Sequence, residues 1–125
     1  MNEILSTDRA PAAIGPYSQG VFAGNLLFLS GQLGLDPASG ELPKGVKTQS
    51  EQAFRNVKAL LEAADMTFAN VVKVTIFITD LDNFGIVNEA MIAAFEGLPY
   101  PARSCVVVKD LPKHGLVEVE AVAAR

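Results

Sequence analysis

Between Thr48 and Val108 the hydrophobic pattern alternates between two periods, and no other feature constrains the fold as tightly. Thr48 is followed three residues on by Glu51, the spacing of a capping box. Ala53, Val57, Leu60, Leu61 and Ala64 then recur on one helical face, with Glu51, Arg55, Lys58 and Glu62 away from it. Val71 to Thr79 is rich in β-branched residues. There Val72, Val74, Ile76 and Ile78 alternate with Lys73, Thr75, Phe77 and Thr79, the period of a strand. A second helix is expected from about Asn83 to Glu96, with Phe84, Val87, Met91 and Phe95 as its apolar stripe and Gly97 as its C-terminal cap. Pro99-Tyr100-Pro101 forces an extended entry into a strand at Ala102 to Val108.

The flanking segments add strands. Glu3 to Ser6 fits a short edge strand, and Ala10 to Pro16, with its prolines and glycine, is a loop. Gln19 to Ala23 and Leu26 to Gln32 fit a hairpin turned at Gly24-Asn25. Leu35 to Gly45 is a long loop, and a second loop with Pro112 and Gly115 leads to a last strand at Val117 to Ala123. The order β-β-β-α-β-α-β-β implies one α/β (α+β) domain over residues 1–125: a six-stranded sheet with two helices packed on one face. Two helices cannot cover both faces, so a partner subunit is expected on the other. Composition agrees: 50% of residues are hydrophobic and mean hydropathy is +0.28, yet no apolar run approaches the roughly 18 residues of a membrane span. The surplus apolar surface is expected to be buried against copies of the same chain.

Charge and cysteine usage narrow the function classes. Fourteen acids against ten bases give a net charge of −4 with no basic cluster, which weighs against a dedicated nucleic-acid binder. One cysteine and one histidine make neither an intrachain disulfide nor a structural zinc site. Met1 to Ser6 carry no basic segment and no long apolar core, so a cytoplasmic protein without a secretory signal is expected.

Arg103 is the most informative side chain, because its strand is apolar on both sides and its guanidinium stays charged. Two readings fit: a snorkelling or ion-paired arginine, or a bidentate clamp for a small carboxylate. Glu118 and Glu120 share one face of the last strand. If the last two strands form a hairpin through Lys109 to Leu116, that face also carries Arg103 and Cys105, and one Glu neutralises the arginine while the other handles a proton. The alternative is that both carboxylates solvate an edge strand. Cys105 fits a small buried hydrophobe better than a nucleophile, and His114 fits an exposed turn residue. Gly31, after Ser30, allows either a close approach or a bulge.

Gly15-Pro16-Tyr17-Ser18-Gln19, Phe28-Leu29-Ser30-Gly31-Gln32, Asn88, Pro99-Tyr100-Pro101-Ala102-Arg103-Ser104-Cys105 and Glu118-Val119-Glu120-Ala121 occur in order along nearly the whole chain. In these segments the chain resembles the RidA/YjgF family of enamine/imine deaminases. The resemblance implies a chorismate-mutase-like fold and a homotrimer with ligand clefts between subunits. It implies hydrolysis of reactive 2-imino acids, such as 2-iminobutanoate and 2-iminopropanoate, to 2-oxo acids and ammonia without metal or cofactor. By matching positions, Arg103 holds the substrate carboxylate, and Tyr17, Ser30 and Asn88 line the cleft. The backbone carbonyls of Gly31 and Cys105 orient water, and Glu118 assists proton transfer. Gly20 and Met91 depart from the common pattern and bear on subgroup and substrate preference. The alternatives are a non-catalytic trimer that binds 2-oxo acids and an endoribonuclease or translation inhibitor.

Overall fold

The computed structural model describes residues 2–125; Met1 lies outside them. In chain order the elements are β1 (Glu3–Leu5), β2 (Gly20–Ala23), β3 (Leu26–Leu33), α1 (Val46–Ala63), β4 (Val71–Ile78), α2 (Phe84–Phe95), β5 (Ala102–Val107) and β6 (Val117–Ala124). They form a six-stranded sheet of spatial order β1-β2-β3-β6-β4-β5. β1, β2 and β3 make an antiparallel meander, closed at Gly24, whose φ of 61° is the left-handed region open to glycine. β6 inserts between β3 and β4, antiparallel to both, and β5 joins the far edge parallel to β4, so the sheet is mixed.

Alternation fixes the two faces. Leu27, Leu29, Val74, Ile76, Ile78, Val117, Val119 and Ala121 are buried, and they pack in one cluster with Phe54, Val57, Leu60 and Leu61 of α1 and Val87, Met91 and Phe95 of α2. Each such side chain stabilises the fold by about 1.5–3 kcal/mol against leaving it in water. The other face carries Phe28, Lys73, Thr75, Phe77, Glu118 and Glu120, and Phe28 is 46% exposed. Both helices thus sit on one side of the sheet, as the element order implied. No helix among the described residues is long and apolar enough to cross a membrane.

Several local expectations are corrected. The capping box at Thr48 and Glu51 does not form. Helical hydrogen bonding begins at Gly45, whose carbonyl accepts from Gln49 N at 3.1 Å, so Thr48 already lies inside the first turn. Gly45 reaches φ 87°, a reversal that glycine supplies without a capping side chain. Val72 does not face the core: the β4–β6 register slips between Val71 and Lys73, and this bulge turns Val71 inward and leaves Val72 47% exposed. Phe84 is 38% exposed and Ala90 takes its place in the α2 stripe. Glu96, at φ 49°, makes the left-handed cap of α2 one position before Gly97. The expected hairpin of the last two strands is replaced by a crossing: β6 pairs with β3 and β4, whereas β5 pairs with β4.

Three buried amides of α1 and β3 were not foreseen. Asn56 Nδ2 donates to the Leu33 and Leu35 carbonyls at 3.0 and 2.9 Å. Gln49 Nε2 donates to the Pro43 carbonyl and its Oε1 accepts from Leu116 N, both at 2.9 Å. Gln32 Nε2 donates to the Ser30 carbonyl at 3.1 Å. These bonds satisfy backbone groups where β3 ends and β6 begins.

Candidate active site

Two hollows collect most of the residues singled out in the sequence, Cys105 and His114 excepted. The first, of about 370 Å³, forms where β3 breaks its pairing with β6. Leu29 lies opposite Ala121 and Gln32 opposite Val119, so β3 carries one extra residue across Ser30 and Gly31. Ser30 N donates to the Gln19 carbonyl at 2.9 Å, and Ser30 Oγ to the Ser18 carbonyl at 2.6 Å. Gly31 lies against the Glu118 carboxylate so closely that a Cβ there would overlap Oε1. Bulge and close approach therefore both occur at this glycine. Ile14, Tyr17, Ser30, Gly31, Glu118 and Glu120 line the hollow. The Tyr17 hydroxyl accepts from Ile14 N at 3.2 Å.

Burial pushes the Glu118 carboxyl above its ordinary value, and the neighbouring Glu120 charge pushes it in the same direction. Because the folded-state pKa is raised, the fold favours the protonated form. That contribution is full below the unfolded-state pKa and is lost as pH rises through the folded one. Glu118→Gln is therefore expected to raise Tm by roughly 1–2 °C near pH 7.5, a small effect because the carboxyl is partly exposed and screened. The difference should vanish below about pH 4, where glutamate is itself protonated. Thermal unfolding at the two pH values checks it; a variant less stable near pH 7.5 contradicts it.

The second hollow, of about 330 Å³, lies at the sheet edge between α2 and β5 and is lined by Asn88, Met91, Ile92, Tyr100, Pro101 and Arg103. Arg103 Nη1 donates to Asn88 Oδ1 at 2.6 Å and lies 3.8 Å from Met91 Sδ, and the guanidinium sits 5.3 Å from the centre of the Phe84 ring. The ion pairs among the described residues are Lys47–Glu51 and Asp110–His114, so no carboxylate neutralises Arg103 within the chain. Cys105, partly buried on the same strand, has its thiol pushed up by desolvation, against which Arg103 pulls down. It is a thiol rather than a thiolate near neutral pH. His114 is exposed, as expected, against Asp110.

The shared face expected for Arg103 and Glu118 is corrected. In the parallel β4–β5 register Arg103 lies beside Val74 and Cys105 beside Ile76, both core residues under the helices. Glu118 lies beside Phe77 and Glu120 beside Thr75, on the opposite face. The registers of β5 and β6 on β4 set this separation, and spacing along the chain does not reveal them. Within one chain, Tyr17, Ser30, Gly31 and Glu118 gather in the first hollow, Asn88 and Arg103 in the second.

A family model described as endoribonuclease L-PSP matches residues 7–125. A 2-iminobutanoate/2-iminopropanoate deaminase of Escherichia coli is 46% identical, over 100% of this chain and 99% of that protein. The chain belongs to the YjgF/RidA family. Solved structures agree with this family fold. RidA from an Antarctic Psychrobacter superposes with a TM-score of 0.95 at 47% identity, covering 98% of this chain and 99% of that one. Escherichia coli TdcF with bound serine gives 0.95 at 45% identity, covering 98% of each chain.

In this YjgF/RidA chain the sequence did not single out Ile14 or Pro112 as lining the first hollow. Ile14 lies on an irregular segment and Pro112 opens a single 3-10 turn at Pro112–His114, where no periodicity marks them. Gln19 carried a signal as the last residue of the Gly15-to-Gln19 segment, but its side-chain role became visible only in its hydrogen bonds.

Proposed function

We propose that this chain is an imine deaminase that hydrolyses 2-iminobutanoate, 2-iminopropanoate and their enamine tautomers to 2-oxo acids and ammonia. The observation that carries the reading is a guanidinium, Arg103, oriented by Asn88 and stacked near Phe84 but without a carboxylate of its own chain. An arginine so placed suits a small organic acid, whose two oxygens match its planar fork of donors.

The functional unit in this reading is a cytoplasmic homotrimer. Arg103 and Glu118 occupy opposite faces of one sheet, so a second copy brings its Glu118 hollow against the first copy's Arg103. Apolar side chains left exposed in one chain, among them Phe28, Val106 and Tyr100 at 46%, 44% and 58%, support burial against further copies.

Arg103 then holds the substrate carboxylate, with Asn88 fixing the guanidinium. Tyr17 and Ser30 line the cleft, and the Gly31 and Cys105 carbonyls orient one water. That water adds to the imine carbon: the new C–O bond forms, the π pair moves to nitrogen, and Glu118 takes the proton from water. The imine enters protonated, so return of this proton by Glu118 makes the nitrogen an ammonium leaving group; Glu118 then takes the hydroxyl proton as the carbonyl forms, the C–N bond breaks and ammonia leaves. Burial and the neighbouring Glu120 charge favour protonated Glu118, which makes it a readier proton acceptor than an ordinary carboxylate. Imines hydrolyse readily in water, so positioning of one water and one carboxylate supplies enough acceleration.

The test couples the protein to a pyridoxal-phosphate-dependent threonine dehydratase and times 2-oxobutanoate release against a control without it. Faster release supports the deaminase. Tight 2-oxobutanoate binding without acceleration identifies a binding trimer instead. The family model's endoribonuclease description carries the second reading. The excess of 14 acids over 10 bases weighs against it, and cleavage of single-stranded RNA by the purified protein would establish it.

A further inference from the structure

We propose that Gln19 is a positioning residue for substrate binding: its side-chain amide shapes the cleft wall that carries Tyr17. The proposal rests on the deaminase reading above. Residues 7–18 form no helix or strand, and apart from Gln19 their backbone partners are few: Tyr17 N donates to the Gly15 carbonyl at 2.9 Å, Arg9 N to Thr7 Oγ1 at 3.3 Å and Ile14 N to the Tyr17 hydroxyl at 3.2 Å, while the Ser18 carbonyl accepts from Ser30 Oγ at 2.6 Å. A segment of this kind keeps one shape only if its polar groups find partners elsewhere.

Gln19 supplies them. Gln19 is 6% exposed. Oε1 accepts from Thr7 N at 2.7 Å, and Nε2 donates to the Thr7, Ala10 and Pro11 carbonyls at 3.0, 3.4 and 2.9 Å. Its backbone carbonyl meanwhile accepts from Ser30 N at 2.9 Å. One residue thus ties Thr7, Ala10 and Pro11, at the start of the segment that leads to Ile14 and Tyr17, to the bulge wall at Ser30, and Pro11 and Gln19 themselves border the hollow. Gln19 does not touch the reacting atoms. It keeps the loop in its binding shape before substrate arrives.

Loss of that order should weaken binding rather than chemistry, because the loop is then ordered only when substrate binds. Gln19→Leu, of similar size, removes every side-chain hydrogen bond. Gln19→Glu sets an acceptor oxygen against the three carbonyls, and protonating that carboxyl restores one donor. Calorimetry with 2-oxobutanoate should show both variants binding roughly tenfold more weakly than wild type near pH 7.5, with kcat for imine hydrolysis within about threefold. Near pH 5 the Gln19→Glu to wild-type Kd ratio should shrink and the Gln19→Leu ratio should not. Amide exchange should quicken over residues 7–17 and stay unchanged in β3 and β6. Wild-type Kd in both variants, or exchange quickened throughout the chain, overturns the assignment of Gln19 alone. Failure of the wild type to bind 2-oxobutanoate overturns this proposal, whereas failure to speed its release in the coupled dehydratase assay overturns the deaminase reading.

Discussion

Arg103→Ala is expected to lower kcat/KM for 2-iminobutanoate by roughly two to three orders of magnitude. Removing one partner of a desolvated, hydrogen-bonded charge pair costs about 2–5 kcal/mol, and each 1.36 kcal/mol is tenfold in rate. The loss should fall on both KM and kcat, since a carboxylate held loosely leaves the imine carbon off the line of the oriented water. Arg103→Lys keeps the charge but not the fork, nor the bond geometry to Asn88, and should fall between wild type and alanine. Cys105→Ser, on the same strand, should keep most activity, because the thiol is held protonated and the role proposed for this residue is through its backbone carbonyl. The coupled dehydratase assay ranks the three. An active Arg103→Ala beside an inactive Cys105→Ser would reverse the assigned roles.

The second large effect is expected from one added methyl group. Gly31→Ala places a Cβ where Glu118 Oε1 now lies. The obstructing atoms belong to the end of a side chain rather than to backbone, so the fold can yield by moving the carboxylate. Stability should change by no more than about 1 kcal/mol. Activity should fall by about a hundredfold, because the displaced carboxylate no longer reaches the water and the methyl intrudes on the cleft. Thermal unfolding and the coupled assay together check the split. A Gly31→Ala protein that unfolds early, or one that turns over like wild type, contradicts the account of this contact.

The two predictions differ in how much of their basis was readable from the residues. Periodicity located both helices and β4, because burial of one face imposes that pattern directly, and turn and proline signals placed the remaining strands. Its errors lie where local backbone geometry overrides the pattern. Gly45, not Thr48, opens α1, and a bulge at Val72 shifts which β4 residues face the core. Strand order was not legible, because the pairing of β6 with β3 and β4 is set by contacts distant along the chain. For that reason the expected common face for Arg103 and Glu118 failed although each residue was identified. The overlap at Gly31 was likewise invisible, since it depends on the register across the β3 bulge.

The central claim is that Arg103 of one protomer and Glu118 of another complete each cleft. Co-expressing Arg103→Ala and Glu118→Gln chains with different tags, and purifying on both tags, isolates mixed trimers. Each such ring has one seam that pairs an intact Arg103 with an intact Glu118, so imine hydrolysis should recover to about a third of wild type, whereas either variant alone stays near background. Mixed trimers no more active than the two parents would mean that both residues serve a cleft from the same chain, and the shared-seam account would be wrong.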